Sequence, residues 1–272
     1  MTNLISPRSA ILTLSEVSLK LSGNTFGPFS IQVHAGERIA VLGPSGAGKS
    51  TLLKLMSGEF KPESGQVFFQ GRALLDWHLK ELSQKRAVLP QSNQVAFGFQ
   101  ARLVIALGRV SREFDPGQAE VVRAAAKLAC AGHLLQRRFD TLSGGEQARV
   151  QLARIFAQLW DQKNGLILVD EPIAALDPGL QLELLDNLNY YASERGHAVV
   201  TILHDINHAL ASADRLLLVK NGAVQNDVMC IANPLPALEA LYDISLSCAF
   251  NAQGQMFIAP MRKASGESKQ VA

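Results

Sequence analysis

Short stretches in which apolar and polar positions alternate open the chain. Ile11 to Leu19, Phe29 to Val33 and Gln66 to Gln70 each read as a half-buried strand, separated by turn residues at Ser22-Gly23-Asn24, His34-Ala35-Gly36 and Pro62-Glu63-Ser64-Gly65. Together they predict an antiparallel layer near the N-terminus. A second kind of run follows: Ile39 to Leu42, Leu166 to Val169, Val199 to Leu203 and Leu216 to Val219 are apolar without interruption. Strands buried on both faces of a parallel sheet read this way, and the helical patterns around Leu180 to Tyr191 and Ile206 to Ala213 supply the covering layers. A further helix carries Leu52, Leu53, Leu55 and Met56 and stops near Gly58. Between Gln91 and Ser143 no strand-like run occurs, whereas Val121 to Ala131 is alanine-rich, so the middle of the chain predicts a helical insert. Lys220-Asn221-Gly222 is a hairpin signal leading into Ala223-Val224-Gln225, and from about Lys263 the chain is polar. The class is therefore α/β, with an antiparallel part and an inserted helical part.

Composition narrows this only a little. The 272 residues carry 47% apolar side chains, enough for a packed core, and a net charge of +2. Lys85-Arg86 and Arg137-Arg138 are isolated pairs, and no block of five like charges marks a nucleic-acid track. Cys130, Cys230 and Cys248 are odd in number and widely spaced, which argues against a disulfide framework or a zinc knuckle and fits a reducing compartment. The first ten residues have no export core, and no run approaches 18 uncharged apolar residues, so any tie to a membrane is expected to come through a partner.

Chemistry enters at Gly43-Pro44-Ser45-Gly46-Ala47-Gly48-Lys49-Ser50-Thr51, directly after the buried run Ile39 to Leu42. A strand turning through glycines into a helix lets consecutive backbone N–H groups converge on an anion. The helix adds its positive end, Lys49 a point charge, and the Ser50 hydroxyl a ligand for magnesium. A loop that merely needed flexibility would not also require Lys-Ser and a buried strand before it.

Two more clusters share this logic. Asp170-Glu171 ends the strand Leu166 to Val169, which puts two carboxylates at the carboxyl edge of a parallel sheet, where ligands bind in such folds. The pair resembles a Walker B motif, with Asp170 holding magnesium and Glu171 polarising the attacking water. Leu142-Ser143-Gly144-Gly145-Glu146 precedes the helical segment Val150 to Ala157 and reads both as a capping box and as a second anion-binding helix start. A cap alone does not need two glycines.

Taken in order, Gly43 to Ser50, Gln91, Leu142 to Glu146, Asp170-Glu171, Asp177 and His204 resemble the motifs of an ABC transporter ATPase subunit, over about Ile11 to Gly222. The resemblance implies one ATPase domain over residues 1–262, built on a P-loop NTPase core, with a helical subdomain at about 92–160 and a small extension at about 223–262. It implies ATP and magnesium as cofactors, with Ser50, Gln91 and Asp170 at the metal. Gln91 corresponds to the Q-loop glutamine, Asp177 to the D-loop, and His204 to the switch histidine at the γ-phosphate. Lys49, Glu171, His204 and Gln91 would carry catalysis. In that family Ser143, Gly144 and Gly145 complete the nucleotide site of a second copy, so the resemblance implies a head-to-tail homodimer. Two permease subunits, indirect contact with a periplasmic binding protein, and a place on the cytoplasmic face of a bacterial inner membrane follow from it as well.

Finer text, Trp77 with Arg86-Ala87-Val88-Leu89-Pro90-Gln91, Ala106-Leu107-Gly108-Arg109, Val150 to Arg154 and Ala157-Gln158-Leu159-Trp160, is similar to the importers of iron chelates, haem and vitamin B12, and most to those for haem. Phe97-Gly98-Phe99 resembles a segment those subunits carry, and fits either permease docking or local core. The alternatives are a siderophore-iron or vitamin B12 importer, and a non-transport member of the family. The chain departs from the family where an adenine-stacking aromatic usually stands, for that stretch reads Leu19-Lys20-Leu21-Ser22; either Phe26 takes its place or base selectivity is weak. Ile173 stands where threonine is common. His204 and His208, four apart, superficially match the zinc pattern H-E-x-x-H, but the acid differs and His204 follows a strand. His34, His78, His133 and His197 show no ligand spacing and read as surface residues.

Overall fold

The computed structural model describes residues 10–91, 98–172, 176–252 and 254–261. Phe97, Ile173, Ala174 and Ala175 lie outside the described residues. The chain begins with β1 (Ala10–Leu21), β2 (Asn24–His34), β3 (Arg38–Leu42), helix α1 (Lys49–Ser57), β4 (Ser64–Phe69) and β5 (Arg72–Ala73). Helix α2 (Leu79–Lys85), β6 (Arg86–Leu89), α3 (Ala101–Ala106), α4 (Gln118–Leu128) and α5 (Gly144–Leu159) follow. The second half runs β7 (Leu166–Asp170), α6 (Pro178–Arg195), β8 (Ala198–Ile202), α7 (Ile206–Ser212), β9 (Arg215–Lys220), β10 (Ala223–Met229), α8 (Leu235–Tyr242), β11 (Leu246–Phe250) and β12 (Met256–Pro260).

The alternating N-terminal runs form the expected antiparallel layer, in the order β2-β1-β4-β5. The uninterrupted apolar runs form a six-stranded sheet, β10-β9-β3-β8-β7-β6, parallel except for β10 at its edge. Its strands show why they lack alternation. Ala40, Leu42, Ile167, Val169, Leu216 and Leu218 face one core, while Ile39, Val41, Leu166, Leu168, Leu217 and Val219 face the other. Successive side chains point to opposite faces and each face is covered, so every position is apolar. Helices α3 to α8 contribute to the first core, and α1 with the antiparallel layer to the second.

Between Gln91 and Ser143 the described residues hold helices, short single turns and one isolated bridge, Gln100 to Arg138, as the helical insert predicts. Helix α4 begins three residues before Val121 and ends at Leu128. Three features went beyond the sequence pattern. Ala87-Val88-Leu89 is the parallel edge strand β6, and it carries Gln91 to the same sheet edge as Asp170. The extension after Gly222 adds the edge strand β10, then helix α8 and its own two-stranded hairpin. His197, read as a surface residue, is buried: its Nδ1 accepts the Gly165 backbone N–H at 2.9 Å, and burial among nonpolar groups pushes its pKa down to about 4.

A candidate nucleotide site at the sheet edge

The loop after β3 is shaped by its glycines. Gly48 sits at φ 102° just before α1, and a Cβ there would come within 2.8 Å of the Phe26 ring. Gly43 has no such φ, but a Cβ on it would fall 2.1 Å from the Val219 carbonyl oxygen. Only glycine lets the loop cross that close to β9. Lys49 is almost wholly buried, and its ammonium donates to the carbonyls of Gly43 at 2.8 Å and Pro44 at 2.9 Å. Burial lowers its pKa, while Glu171 and Asp170 oppose that shift. A cation placed there, at the positive end of α1, can serve a polyphosphate.

Asp170 ends β7 and is buried. Burial raises its pKa, and the nearby Ser50 hydroxyl works the other way. Its Oδ1 has no hydrogen-bond partner. A buried carboxylate oxygen left open beside a serine hydroxyl suits a hard divalent cation with oxygen ligands, so these donors fit magnesium. No group of three or more His, Cys, Asp and Glu side chains that could hold a metal occurs among the described residues. Protein donors of that kind are few at a magnesium site, where phosphate and water supply the rest.

Glu171 stands one residue further on, at φ 53°, an uncommon conformation for a non-glycine residue. One carboxylate oxygen accepts from Gln91 Nε2 at 3.0 Å and the other is hydrogen-bonded to His204 Nε2. Three residues separated by 80 and 33 positions in sequence thus converge on one carboxylate at the ends of β6, β7 and β8. His204 lies in the loop between β8 and α7, not on a helix with His208, so the two histidines do not share a helical face.

Ser143, Gly144 and Gly145 open α5. Ser143 Oγ accepts from Glu146 N–H at 3.3 Å, and Glu146 accepts from Ser143 N–H at 2.8 Å, which is the expected capping box. Arg137 holds Glu146 at 2.7 Å. Ser143 and Gly144 are exposed. Gly144 borders a cavity of about 360 Å³ whose other wall includes Gln91, Asp170 and Glu171, and no residue of the glycine loop lines it. Asp177 caps α6, accepting from Leu180 N–H at 3.1 Å, and is exposed. The structure therefore joins Lys49, Ser50, Asp170, Glu171, Gln91 and His204, and leaves Ser143 and Asp177 facing outward.

Around this centre, Phe26 pairs with Leu19 across the β1-β2 hairpin and packs against Gly48 and Gly222 at the entrance to α1. It is the aromatic ring beside the loop. Phe99 is exposed near Leu103, Leu107 and Val110, so it is not local core.

Comparison with known proteins agrees with this geometry. The ABC transporter family profile matches residues 26–174. The Hemin import ATP-binding protein HmuV of Methylobacillus flagellatus is 41% identical over 222 residues, covering 79% of this chain and 82% of that one. The protein of the same name from Pseudomonas putida is 42% identical over 221 residues, covering 79% and 86%. Among solved structures, a chain described as a metal-chelate type ABC transporter in an inward-facing conformation superposes with a TM-score of 0.78 at 25% identity, covering 94% of this chain and 99% of that one. A dimeric ATP-binding cassette bound to ADP and Pi gives 0.71 at 25% identity, covering 80% and 98%. The chain belongs to the ABC transporter family, as an ATP-binding and ATP-hydrolysing subunit of the importer type.

Proposed function

We propose that the chain powers uptake of haem, or of a related iron chelate, through a separate membrane permease. The observation that carries the catalytic part is the convergence of Gln91 and His204 on Glu171 beside the buried Asp170, whose Oδ1 has no hydrogen-bond partner. The haem part is supported by the relatives named for hemin import. A structural relative of metal-chelate type supports a siderophore-iron importer as the second reading.

In this reading residues 1–262 act as one ATPase domain. Gly43 to Thr51 wrap the phosphates, and Lys49 exchanges its carbonyl partners for phosphate oxygens. Ser50, Asp170 and Gln91 hold magnesium, which when bound offsets phosphate charge. Glu171 orients and polarises the attacking water, and His204 and Gln91 fix the carboxylate that does so. Ser143 and Gly144, exposed on one copy, together with Gly145 complete the phosphate site of a second, and Asp177 lies at the seam between them. The apolar surface around Phe99 and Leu103 takes the permease, which keeps the subunit peripheral on the cytoplasmic face of an inner membrane. No helix among the described residues is long and apolar enough to cross one.

The test is reconstitution in vesicles with the permease and a periplasmic haem-binding protein. Haem-loaded binding protein is expected to stimulate ATP hydrolysis and to load the vesicles with haem. Stimulation by a ferric siderophore alone would move the assignment to the second reading, and no response to any iron chelate would overturn both.

A further inference from the structure

Helix α5 grips the strand that carries Gln91 through a ladder of long polar side chains. Gln158 Nε2 donates to the Arg86 carbonyl at 3.0 Å, and one turn back along the helix Arg154 donates to the Val88 carbonyl at 3.4 Å. Two strand residues advance about as far as four helix residues, so the rungs match. Gln151 is the next rung. It lies where β6 gives way to Pro90 and Gln91, and it lines the cavity of about 360 Å³ together with those two residues, Asp170 and Glu171.

Gln151 is only 4% exposed, and the orientation of its amide is set. Arg154 Nε, which can only donate, stands 2.8 Å from Gln151 Oε1, so the oxygen faces Arg154 and the NH₂ group is the end left for the cavity. Among the described residues that NH₂ has no partner. Gln147, one turn earlier on α5, also borders the cavity, but its Nε2 is held by the Phe139 carbonyl at 3.2 Å and the Leu142 carbonyl at 3.1 Å. Of the two glutamines, Gln151 is therefore the donor. Gln91 is fixed by the same logic: its Nε2 donates to Glu171 at 3.0 Å, and its Oε1 has no partner among the described residues. A buried donor on α5 and an unpaired acceptor on Gln91 thus border one cavity, with polar walls and room for a bridging water.

We propose that Gln151 is a positioning residue for Gln91: through water in the cavity its amide donates to Gln91 Oε1, and so keeps the Gln91 nitrogen turned toward the Glu171 carboxylate. The inference rests on the nucleotide-site reading above. An amide oxygen has two lone pairs, so Gln91 can accept this bond and still offer a ligand to magnesium. Without the bond the Gln91 amide can turn over, which sets its oxygen against the carboxylate.

The experiment compares the full chain with two variants of matched size. Gln151→Met removes the amide, whereas Gln151→Glu keeps an oxygen for Arg154 and presents only oxygen to the cavity. ATP binding and turnover by wild type test the nucleotide site on their own, and their absence would take that reading down together with the inference. Loss of one hydrogen bond is expected to lower kcat about five-fold in both variants, with the Kd for ATP measured by calorimetry unchanged. Because the effect passes through Gln91, Gln151→Met should change the residual turnover of a Gln91→Ala chain by less than about two-fold. Wild-type kcat in Gln151→Glu would overturn the proposal, since the Arg154 contact alone would then explain the residue. So would a loss that persists undiminished in the Gln91→Ala chain, the mark of a purely structural role. Thermal melts identify a variant that does not fold; should Gln151→Met fail, Gln151→Glu in the same two backgrounds gives both readouts.

Discussion

The glycine loop and the start of α5 are both glycine-rich helix entrances, yet the chain treats them in opposite ways. At Gly43 to Lys49 the lysine is buried, the loop is crossed by β9 beneath, and Phe26 and Gly222 close around it. At Ser143 the helix start is exposed, and its hydrogen-bonding groups are met by its own capping box. The first entrance is enclosed by its own chain and the second is presented outward. A surface finished by its own fold has an internal task, whereas a glycine-rich helix start left in solvent needs a ligand delivered to it. This contrast supports a site shared between two copies.

The sharpest way to break the contrast is at Ser143. Ser143→Arg should abolish ATP hydrolysis while the isolated chain binds ATP as before, because in the shared-site reading the residue acts on the other copy's nucleotide; calorimetry beside a phosphate-release assay checks it. Full activity would refute the shared site. Next comes Glu171→Gln, expected to cut turnover by 10²- to 10⁴-fold, the range for a general base. ATP binding should survive and a closed dimer should accumulate, visible as a larger species in size-exclusion chromatography with ATP. Turnover close to wild type would remove Glu171 from its role.

The smallest effect tests the framework beneath both entrances. His197 has a folded pKa of about 4 against an ordinary 6.5. Between those values the unfolded chain binds more protons than the folded one, so stability falls as the pH drops from about 6.5 to 4 and levels off below. The shift corresponds to about 3 kcal/mol at most. Chemical denaturation over that range should show the slope, and His197→Gln should flatten it. An unchanged slope in the variant would place the titration elsewhere.

The parts of this fold legible in the sequence are those with long or uninterrupted patterns. The four central apolar runs became β3, β7, β8 and β9 because both faces of the sheet are buried, and the glycine loop, Asp170-Glu171 and the capping box at Ser143 were each readable from local spacing. What escaped was short or non-local. Strand β6 is four residues long, and only its pairing with β7 distinguishes Ala87-Val88-Leu89 from a turn before Pro90. His197 looked exposed because histidine is polar; a Gly165 N–H, 32 residues away, gives it a partner inside. The centre formed by Gln91, Glu171 and His204 was named by resemblance, and only the structure brings their atoms within hydrogen-bonding reach.

The turn at Asn221-Gly222 has a practical meaning for anyone labelling or extending this protein. Hairpin tips are ordinarily the safest places to insert a tag or a second domain. Here the Gly222 N–H donates to the Ala47 carbonyl at 2.9 Å and its own carbonyl accepts from Gly27 N–H at 2.7 Å, so a single residue rivets the antiparallel layer to the phosphate loop. An insertion there would load the joint between that layer and the glycine loop, and the turn at Gly71, where added atoms meet open space, is the better point of attachment.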